Sequence, residues 1–470
     1  MKKSIDPISR RSFIKKVGAG GAAVAVASLT GCTVDNKTES ITTGTSSKKE
    51  PGEMTYRETL TTGDKVSILG YGCMRWPTKP SPDDPTEQII DQDAVNELVD
   101  YAMKHGVNYY DTSPVYCKGE SERVTGIALS RYPRDSYFIA TKASNFNSET
   151  WPREESIAMY RNSMKYLQTD YIDYYLLHSI GQNGMEAFNN RYIDNGFLDF
   201  LLAEREAGRI RNLGFSYHGD IEVFDYLLAN HDKYKWDFVQ IQLNYVDWNH
   251  ASGRNTNASY LYDELDRRNI PAVIMEPLLG GRLADMPDYL VTRFKERRPE
   301  DSLASWAFRY AGTHPRVLTV LSGMTYMEHL VDNLATYSPL EPCTAEELEF
   351  LEDVAKGFIA SDAVPCTACQ YCMPCPFGID IPAVFGHYNK MVNDGTIDKT
   401  TRAEAFNDAR RKFLVGYDRS VPRLRQANHC IGCHTCEEHC PQSIKIAKRM
   451  HKIDSYVEKL KRGEVYDAEA

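Results

Sequence analysis

Residues 92–112 read QDAVNELVDYAMKHGVNYYDT, a segment of helical periodicity followed directly by a β-rich run. In its first part the apolar side chains recur every three or four positions and share one helix face, namely Val95, Leu98, Val99, Ala102 and Met103. The second part, VNYYDT, is short, aromatic and β-branched, as buried strands are. The stretch therefore predicts an amphipathic helix that leads into a strand.

The same unit recurs from about residue 56 to residue 340. Eight β-rich runs alternate there with helical segments, at 66–74, 107–112, 137–142, 171–178, 210–218, 238–245, 272–278 and 317–324. This number of units, in a segment of this size, predicts an α/β fold of the (β/α)8 TIM barrel class. An open doubly wound sheet is the alternative, but it needs a glycine-rich loop after the first strand, which GYG at 70–72 matches poorly.

Polar side chains lie just past three consecutive runs, where a barrel of this class places its chemistry. Asp111 and Tyr116 follow the second run, Lys142 ends the third and His178 ends the fourth. A nearby ammonium favours the phenolate form of tyrosine, and a carboxylate keeps a buried ammonium charged. Phenol and imidazole donors stabilise the negative charge that develops on the oxygen of a carbonyl group when its carbon receives hydride. Singly, each residue could be structural, for example a helix cap or a core histidine; together they indicate a catalytic site.

Residues 56–340 resemble the aldo/keto reductase family in these four residues, their spacing, and the segment YCKGESE at 116–122. The resemblance implies that Tyr116 is the general acid in carbonyl reduction and the base in alcohol oxidation. It also implies that Lys142 lowers the pKa of Tyr116, that Asp111 keeps Lys142 charged, and that His178 orients the carbonyl oxygen.

A nicotinamide cofactor, NAD(P)(H), is also implied by the resemblance. The positions that match the family's nicotinamide and adenine contacts are Ser216, Gln240 and Asn333. Tyr217 stands where the family usually has Asn, and Met275 where an aromatic ring often stacks on the nicotinamide. The segment SGMTYMEHLVDN lacks the Lys and Arg that hold the 2′-phosphate of NADP, so the sequence does not favour NADP over NAD.

Two cysteine quartets follow, CTACQYCMPCP at 366–376 and CIGCHTCEEHCP at 430–441. The second is the C-x2-C-x2-C-x3-C-P run of bacterial ferredoxins, in which the cysteine before proline ligates the other cluster. We therefore expect two [4Fe–4S] clusters, one on Cys366, Cys369, Cys372 and Cys440, and one on Cys430, Cys433, Cys436 and Cys375. The first quartet departs from the pattern by one residue, so this crossed pairing stays open.

Zinc and disulfides are the alternatives for these thiols. Zinc sites usually join two C-x2-C pairs across a loop, and cysteines at every third residue are awkwardly spaced for disulfides with one another. The remaining Cys73, Cys117 and Cys343 are expected to be ordinary thiols, with Cys117 beside Tyr116. A barrel followed by two such quartets resembles the iron–sulfur branch of the aldo/keto reductase family, in which MEPLLGG and YCMPCP recur.

The first 32 residues have the form of an export signal, with SRRSFIK at 9–15, an apolar Gly/Ala segment, and LTGC ending at Cys32. The Arg10–Arg11 pair resembles the twin-arginine class, and LTGC resembles a bacterial lipobox, which implies a lipid anchor at Cys32. Twin-arginine export carries folded proteins, so clusters could be inserted before export. The predicted location is the periplasm or cell envelope, as a membrane-anchored lipoprotein.

The predicted organisation follows chain order. It is a signal at 1–32, a disordered tether at 33–55, the barrel at 56–340, a helical linker at 341–364, a small, mostly helical, ferredoxin-like domain with two 4Fe-4S clusters at 365–455, and a tail at 456–470. The formal net charge is −10, and removing residues 1–31, which carry six Lys/Arg and one Asp, leaves about −15. So acidic a chain argues against nucleic acid as a partner.

The sequence thus predicts an exported oxidoreductase that interconverts a small carbonyl and an alcohol. Its clusters would relay electrons to or from a redox partner protein or a membrane electron carrier. The alternative is a non-catalytic electron-transfer or binding subunit with a degenerate barrel, which the departures at Tyr217 and Met275 favour slightly and the intact set of four catalytic residues opposes.

Overall fold

The structure, a computed structural model, describes residues 51–464 except 60, 86 and 403. In this part of the chain the strands, numbered β1 to β12 in order, are Tyr56–Glu58, Lys65–Ser67, Leu69–Gly72, Thr78–Pro80, Gln88–Ile90, Tyr109–Asp111, Phe138–Ala143, Ile172–Ile180, Ile210–Tyr217, Phe238–Gln242, Ala272–Met275 and Val317–Ser322. Strands β3 and β6 to β12 form a closed barrel of parallel neighbours, with β12 paired to β3. The predicted (β/α)8 barrel is confirmed, and each of the eight predicted runs overlaps one barrel strand.

The first run, 66–74, differs from its prediction because it contains two strands. Lys65–Ser67 pairs antiparallel with Tyr56–Glu58, and only Leu69–Gly72 enters the barrel. The residues from Val66 to Leu69 are all buried, so the sequence pattern does not show where the run changes from a strand paired with β1 to a strand of the barrel.

The helices, numbered α1 to α18 in chain order, complete the barrel and the C-terminal domain. They are Gln92–Lys104, Ser121–Leu129, Arg153–Tyr166, Gly184–Phe188, Phe197–Glu206, Ile221–Ala229, His231–Tyr234, Asp247–His250, Ala258–Arg267, Asp288–Arg297, Leu303–Thr313, Met327–Tyr337, Ala345–Ile359, Ile381–Asn393, Thr396–Lys399, Phe406–Ser420, Thr435–Glu438 and Ile446–Arg462. Helix α1 begins after Asp91, whose side chain accepts a hydrogen bond from the backbone N–H of Ala94, and it buries the predicted apolar face with Met103 at its edge.

Helix α13, predicted as part of a linker, belongs to the barrel. Its Phe350, Leu351 and Val354 are buried in the same apolar core as the barrel helices. A capping box fixes its start, because Thr344 accepts from the N–H of Glu347 while the Glu347 carboxylate accepts from the N–H of Thr344.

Helices α14, α16 and α18 surround a second apolar core, that of the C-terminal domain. The boundary predicted at residue 455 is wrong, because α18 continues to Arg462 and buries Tyr456, Val457 and Leu460. The predicted tether also ends too late, since Met54 is buried in the barrel core.

The predicted signal, Cys32 and residues 33–50 of the tether lie outside the described residues. Within the described part of the chain, no helix combines the length and apolar character needed to cross a bilayer.

Candidate functional site

The four predicted catalytic residues lie at one end of the barrel. Asp111 is the last residue of β6, Lys142 lies near the end of β7, and His178 lies near the end of β8. Tyr116 opens the 3-10 turn Tyr116–Gly119 that follows β6. Because these strands are parallel neighbours, their carboxyl ends bring the four side chains to the same mouth.

Lys142 and Asp111 form a buried ion pair. Lys142 Nζ donates to Asp111 Oδ1 over 2.6 Å and to the carbonyl oxygen of Thr112 over 2.7 Å. Burial lowers the pKa of Lys142, and the Asp111 carboxylate opposes that shift. Burial also raises the pKa of Asp111, and Lys142 opposes it. Removal of either partner would leave the other charge buried without compensation.

Tyr116 lies between Lys142 and His178. Lys142 Nζ is 4.8 Å from the centroid of the Tyr116 ring, and the rings of Tyr116 and His178 are 6.0 Å apart. The pKa of Tyr116 is raised well above its ordinary value, by burial first and then by the charges of Asp111 and Glu276. Lys142 is not among the main causes of this shift, so the lowering of the Tyr116 pKa that the resemblance implies is not seen in the structure, and the phenol keeps its proton at neutral pH.

His178 is held neutral and in a fixed orientation. Its Nδ1 lies 2.6 Å from Ser144 Oγ, and its pKa is well below the ordinary value because of burial, followed by the charges of Lys142 and Arg191. If Ser144 donates to Nδ1, the remaining ring proton is on Nε2, the donor that a carbonyl oxygen requires.

Two of the three predicted nicotinamide and adenine contacts lie side by side. Ser216 on β9 and Gln240 on β10 are partners in the strand register, and both are buried. Gln240 Oε1 is buried and has no hydrogen-bond partner among the described residues, so it could accept from a carboxamide. Ser216 Oγ instead accepts from the backbone N–H of Ser179 over 2.8 Å. Asn333 lies on α12, where its side chain donates to Ser322 Oγ over 2.9 Å.

The thiols of the two quartets surround two cavities in the crossed arrangement expected. The first cavity is lined by Cys366, Cys369, Cys372 and Cys440, and the second by Cys375, Cys430, Cys433 and Cys436. The remaining lining is mostly apolar, and Ile381 and Ile446 line both cavities, so the two lie next to each other. Near the first cavity the N–H of Ala368 lies 3.4 Å from Cys366 Sγ, the kind of hydrogen bond that a cluster thiolate accepts.

These cavities fit clusters better than single ions. Among the residues that the structure describes, no group of three or more His, Cys, Asp or Glu side chains is arranged to hold one metal ion. Every cysteine described is a free thiol, including Cys73, Cys117 and Cys343. Thiols spread around an apolar cavity are the arrangement that a cubane cluster needs, whereas a zinc site draws its ligands together at one point.

The loop that carries the first three thiols, residues 366–372, packs on the barrel mouth. Arg75, in the turn after β3, donates to the carbonyl oxygen of Thr367 over 2.9 Å. Gly280, after β11, has φ +70°, and a Cβ there would lie 2.3 Å from Thr367 Cα. Only glycine therefore permits the observed approach of the two segments.

Tyr371 in this loop is close enough to Tyr116 to interact with it electrostatically, although 38% of its surface is exposed. Its pKa is raised well above the ordinary value, by loss of hydration first and then by the charges of Tyr116, Cys369 and Glu276. Glu276, in the turn after β11, carries a buried oxygen, Oε2, with no partner among the described residues. Sequence analysis missed both residues as site candidates, although YCMPCP and MEPLLGG had marked their segments.

Replacing Gly280 with alanine should detach the 366–372 loop from the barrel mouth. The matched control is Gly281→Ala, since Gly281 also has positive φ, +96°, but a Cβ there would have no atom within 4 Å. Both variants incur backbone strain of about 1–2 kcal/mol, and only Gly280→Ala adds a clash, which costs about 1–3 kcal/mol more. We expect a lower thermal midpoint and faster proteolysis of the loop in Gly280→Ala than in Gly281→Ala; equal effects would contradict the close packing.

Comparisons with known proteins agree with this division of the chain. A family model described as the aldo/keto reductase family matches residues 68–355, and a model described as a 4Fe-4S dicluster domain matches residues 365–446. An uncharacterised oxidoreductase of Bacillus subtilis is 25% identical over 319 residues, which cover 62% of this chain and 93% of that protein. L-galactose dehydrogenase of Arabidopsis thaliana is 24% identical over 298 residues, covering 60% of this chain and 87% of that protein.

A solved structure shows the same barrel fold. The holo form of an aldo-keto reductase from Bacillus halodurans has a TM-score of 0.51 and 23% identity, and the match covers 64% of this chain and 96% of that one. The region matched by the dicluster model begins after the barrel region ends, so the two parts of the chain match separate family models.

Proposed function

Because this chain belongs to the aldo/keto reductase family of oxidoreductases and carries a 4Fe-4S dicluster domain, we propose that it interconverts a small carbonyl compound and an alcohol at Tyr116. The observation that carries the proposal is the convergence of three side chains. Lys142 Nζ lies 2.6 Å from Asp111 and 4.8 Å from the Tyr116 ring, in a buried position at the barrel mouth.

In the reducing direction the carbonyl carbon gains hydride and the carbonyl oxygen gains a proton. Tyr116 holds that proton at neutral pH, since the ordinary pKa of a phenol, about 10, already lies above neutral pH and burial raises it further. When the phenol transfers the proton, a phenolate remains, and the Lys142 ammonium beside the ring stabilises it. A neutral His178 donates a hydrogen bond to the same oxygen, which stabilises the charge that develops there. Oxidation of the alcohol is the reverse, with the phenolate as base.

A bound nicotinamide would supply the hydride at this mouth. Gln240, with its buried and unpartnered Oε1, and Ser216 beside it would hold the carboxamide, and Asn333 would contact the adenine. The absence of Lys and Arg from 322–333 gives no preference for NADP over NAD.

Two [4Fe–4S] clusters, held by the eight thiols, would supply single electrons. The packing of the 366–372 loop on Arg75 and Gly280 supports this role, because it brings the first thiol cavity to the catalytic end of the barrel. The chain would thereby exchange electrons with a redox partner protein or a membrane carrier.

The proposal is tested by anaerobic purification followed by metal analysis, titration with NADH and NADPH, and turnover assays. Small aldehydes and ketones are offered with NADH, NADPH or reduced methyl viologen as donor. Iron and sulfide in the protein, with carbonyl reduction by any donor, support it. Iron without nucleotide binding or turnover would favour the alternative, a non-catalytic electron-transfer subunit.

The export of the chain is part of the same proposal and is supported by SRRSFIK and LTGC. Free nicotinamide nucleotides are scarce outside the cytoplasm, so an exported enzyme must bind its nucleotide before export or draw electrons through the clusters. Replacing Arg10 and Arg11 with lysine should leave the protein in the cytoplasm, and Cys32→Ser should abolish incorporation of labelled lipid. Unchanged fractionation of both variants would overturn the export assignment.

A further inference from the structure

The second thiol cavity opens at the surface among exposed apolar side chains. Phe377 and Ile431 line this cavity, yet they are 44% and 64% exposed. Cys433, one of its four thiols, is itself exposed. Exposed apolar side chains gathered at one place commonly mark an interaction site.

Leu424, the most exposed large apolar residue described, lies beside this group at 80% exposure. Its carbonyl oxygen is 3.9 Å from the position of a Cβ on Gly378, the neighbour of Phe377. The backbone N–H of Asp380 also donates to the carbonyl oxygen of Arg425 over 3.0 Å. The segment around Leu424 therefore runs alongside the segment that carries Phe377, and we call Phe377, Leu424 and Ile431 the apolar patch.

Two basic side chains flank Leu424 in the apolar patch, although the net charge of the chain as a whole is −10. Arg423 and Arg425 flank Leu424 and reach Asp418 over 3.4 Å and Asp380 over 3.6 Å. These ion pairs are solvent-exposed and weak, so both arginines can turn to acidic groups of another molecule.

The first cavity lies on the side of the domain that contacts the barrel, and no residue of the apolar patch lines it. Its loop contacts the barrel through Thr367, whereas the residues lining the second cavity include two members of the apolar patch. Ile381 and Ile446 line both cavities and so lie between them. The second cavity is thus the outer end of a path that leads through the first cavity to the barrel mouth.

We propose that the apolar patch and its arginines are the docking site of a small acidic one-electron carrier protein. The proposal rests on the relay role in the proposed function. In each encounter the reduced carrier would lose one electron to a cluster held by Cys375, Cys430, Cys433 and Cys436. Two encounters would supply the two electrons of one carbonyl reduction, and the two protons would come from Tyr116 and from solvent. Oxidation of an alcohol would reverse the flow of electrons and protons.

A protein partner fits this surface better than a membrane does. Lipid binding needs a broad apolar face, or four to eight Lys/Arg in a cluster, to hold a protein on a bilayer. Three apolar side chains with two flanking arginines instead match the small interfaces of transient electron-transfer complexes. Opposite charges on the two proteins would accelerate their encounter.

The test uses the iron-loaded full-length chain and an acidic plant-type ferredoxin as the probe. Affinity is measured by titration calorimetry at low and high salt, and cluster reduction by the reduced probe is followed by stopped-flow absorbance. Leu424→Glu and Arg423→Glu should each lower the affinity and the second-order rate constant about tenfold. High salt should weaken binding of the unaltered chain, and basic cytochrome c should bind less tightly than the ferredoxin.

The matched controls are Tyr166→Glu and Lys165→Glu, at the exposed end of α3 on the barrel, which should behave like the unaltered chain. Reduction of all variants by dithionite should be equal, which shows that the clusters are intact. Equal affinity of Leu424→Glu and the unaltered chain would overturn the proposal. The proposal would also be overturned if Leu424→Glu lost binding to anionic phosphatidylglycerol vesicles while its affinity for the ferredoxin stayed unchanged. Carbonyl turnover with methyl viologen is assayed separately, so failure of the proposed function remains distinguishable from failure of the docking site.

Discussion

Replacing Tyr116 with phenylalanine should lower carbonyl turnover by a factor of about 10²–10⁴, the usual contribution of a general acid. The substitution removes one oxygen and its proton from a side chain that already contacts Lys142 and His178 through its ring. The barrel and the thiol cavities do not depend on that oxygen, so iron content and nucleotide binding should stay unchanged. Steady-state turnover, iron analysis and nucleotide titration of the same preparation check the prediction.

A matched control is Tyr175→Phe in β8. The Tyr175 hydroxyl is buried and has no hydrogen-bond partner among the described residues, so its loss should leave turnover nearly unchanged. Full activity in Tyr116→Phe would discard the assignment of the acid. Equal losses in both variants would show that the effect comes from packing and not from proton transfer.

Replacing Cys440 with serine should destroy the cluster held by Cys366, Cys369 and Cys372, although Cys440 lies in the second quartet of the sequence. Serine is a poor ligand for iron, so the content should fall from about eight iron atoms per chain to about four. Electron paramagnetic resonance of the reduced protein should lose the signal that Cys369→Ser also loses. The reciprocal variant, Cys375→Ser, should lose the signal that depends on Cys430.

The control for this series is Cys343→Ser, because Cys343 is a buried free thiol outside both cavities. It should keep both signals and its full iron content. If Cys440→Ser and Cys430→Ser abolish the same signal, the clusters follow sequence order and the crossed arrangement is wrong.

The barrel was predictable because each of its units carries its own periodic pattern, and strand ends converge by topology alone. That reasoning brought Asp111, Lys142 and His178 together without knowledge of any distance. The hairpin of β1 and β2 was not predictable, since one continuous apolar run supplies both β2 and β3. The end of α18 was misjudged because its apolar positions Tyr456, Val457 and Leu460 extend beyond the cysteine motif that defined the predicted domain.

The parts of the site that sequence reasoning missed arise from contacts between the two cores. Tyr371 belongs to the thiol loop and Glu276 to the barrel, and no local pattern relates them. The unpartnered oxygen of Glu276 and the close approach of Gly280 to Thr367 exist only once the loop is seated. Likewise, the crossed set of thiols agrees with the ferredoxin spacing, but the spacing alone left it open.

The 366–372 loop packs on the barrel mouth and also carries three of the thiols. A cluster on Cys366, Cys369 and Cys372 would hold this loop from behind, so the proposed function couples cluster insertion to closure of the barrel mouth. Arg75 and Gly280 hold the loop from the barrel side, and the contacts of Asn255 with Gln442 and of Asn393 with Asp285 hold the domain on the barrel. On the proposed function, we therefore expect loss of the first cluster to lower carbonyl turnover as well as iron content.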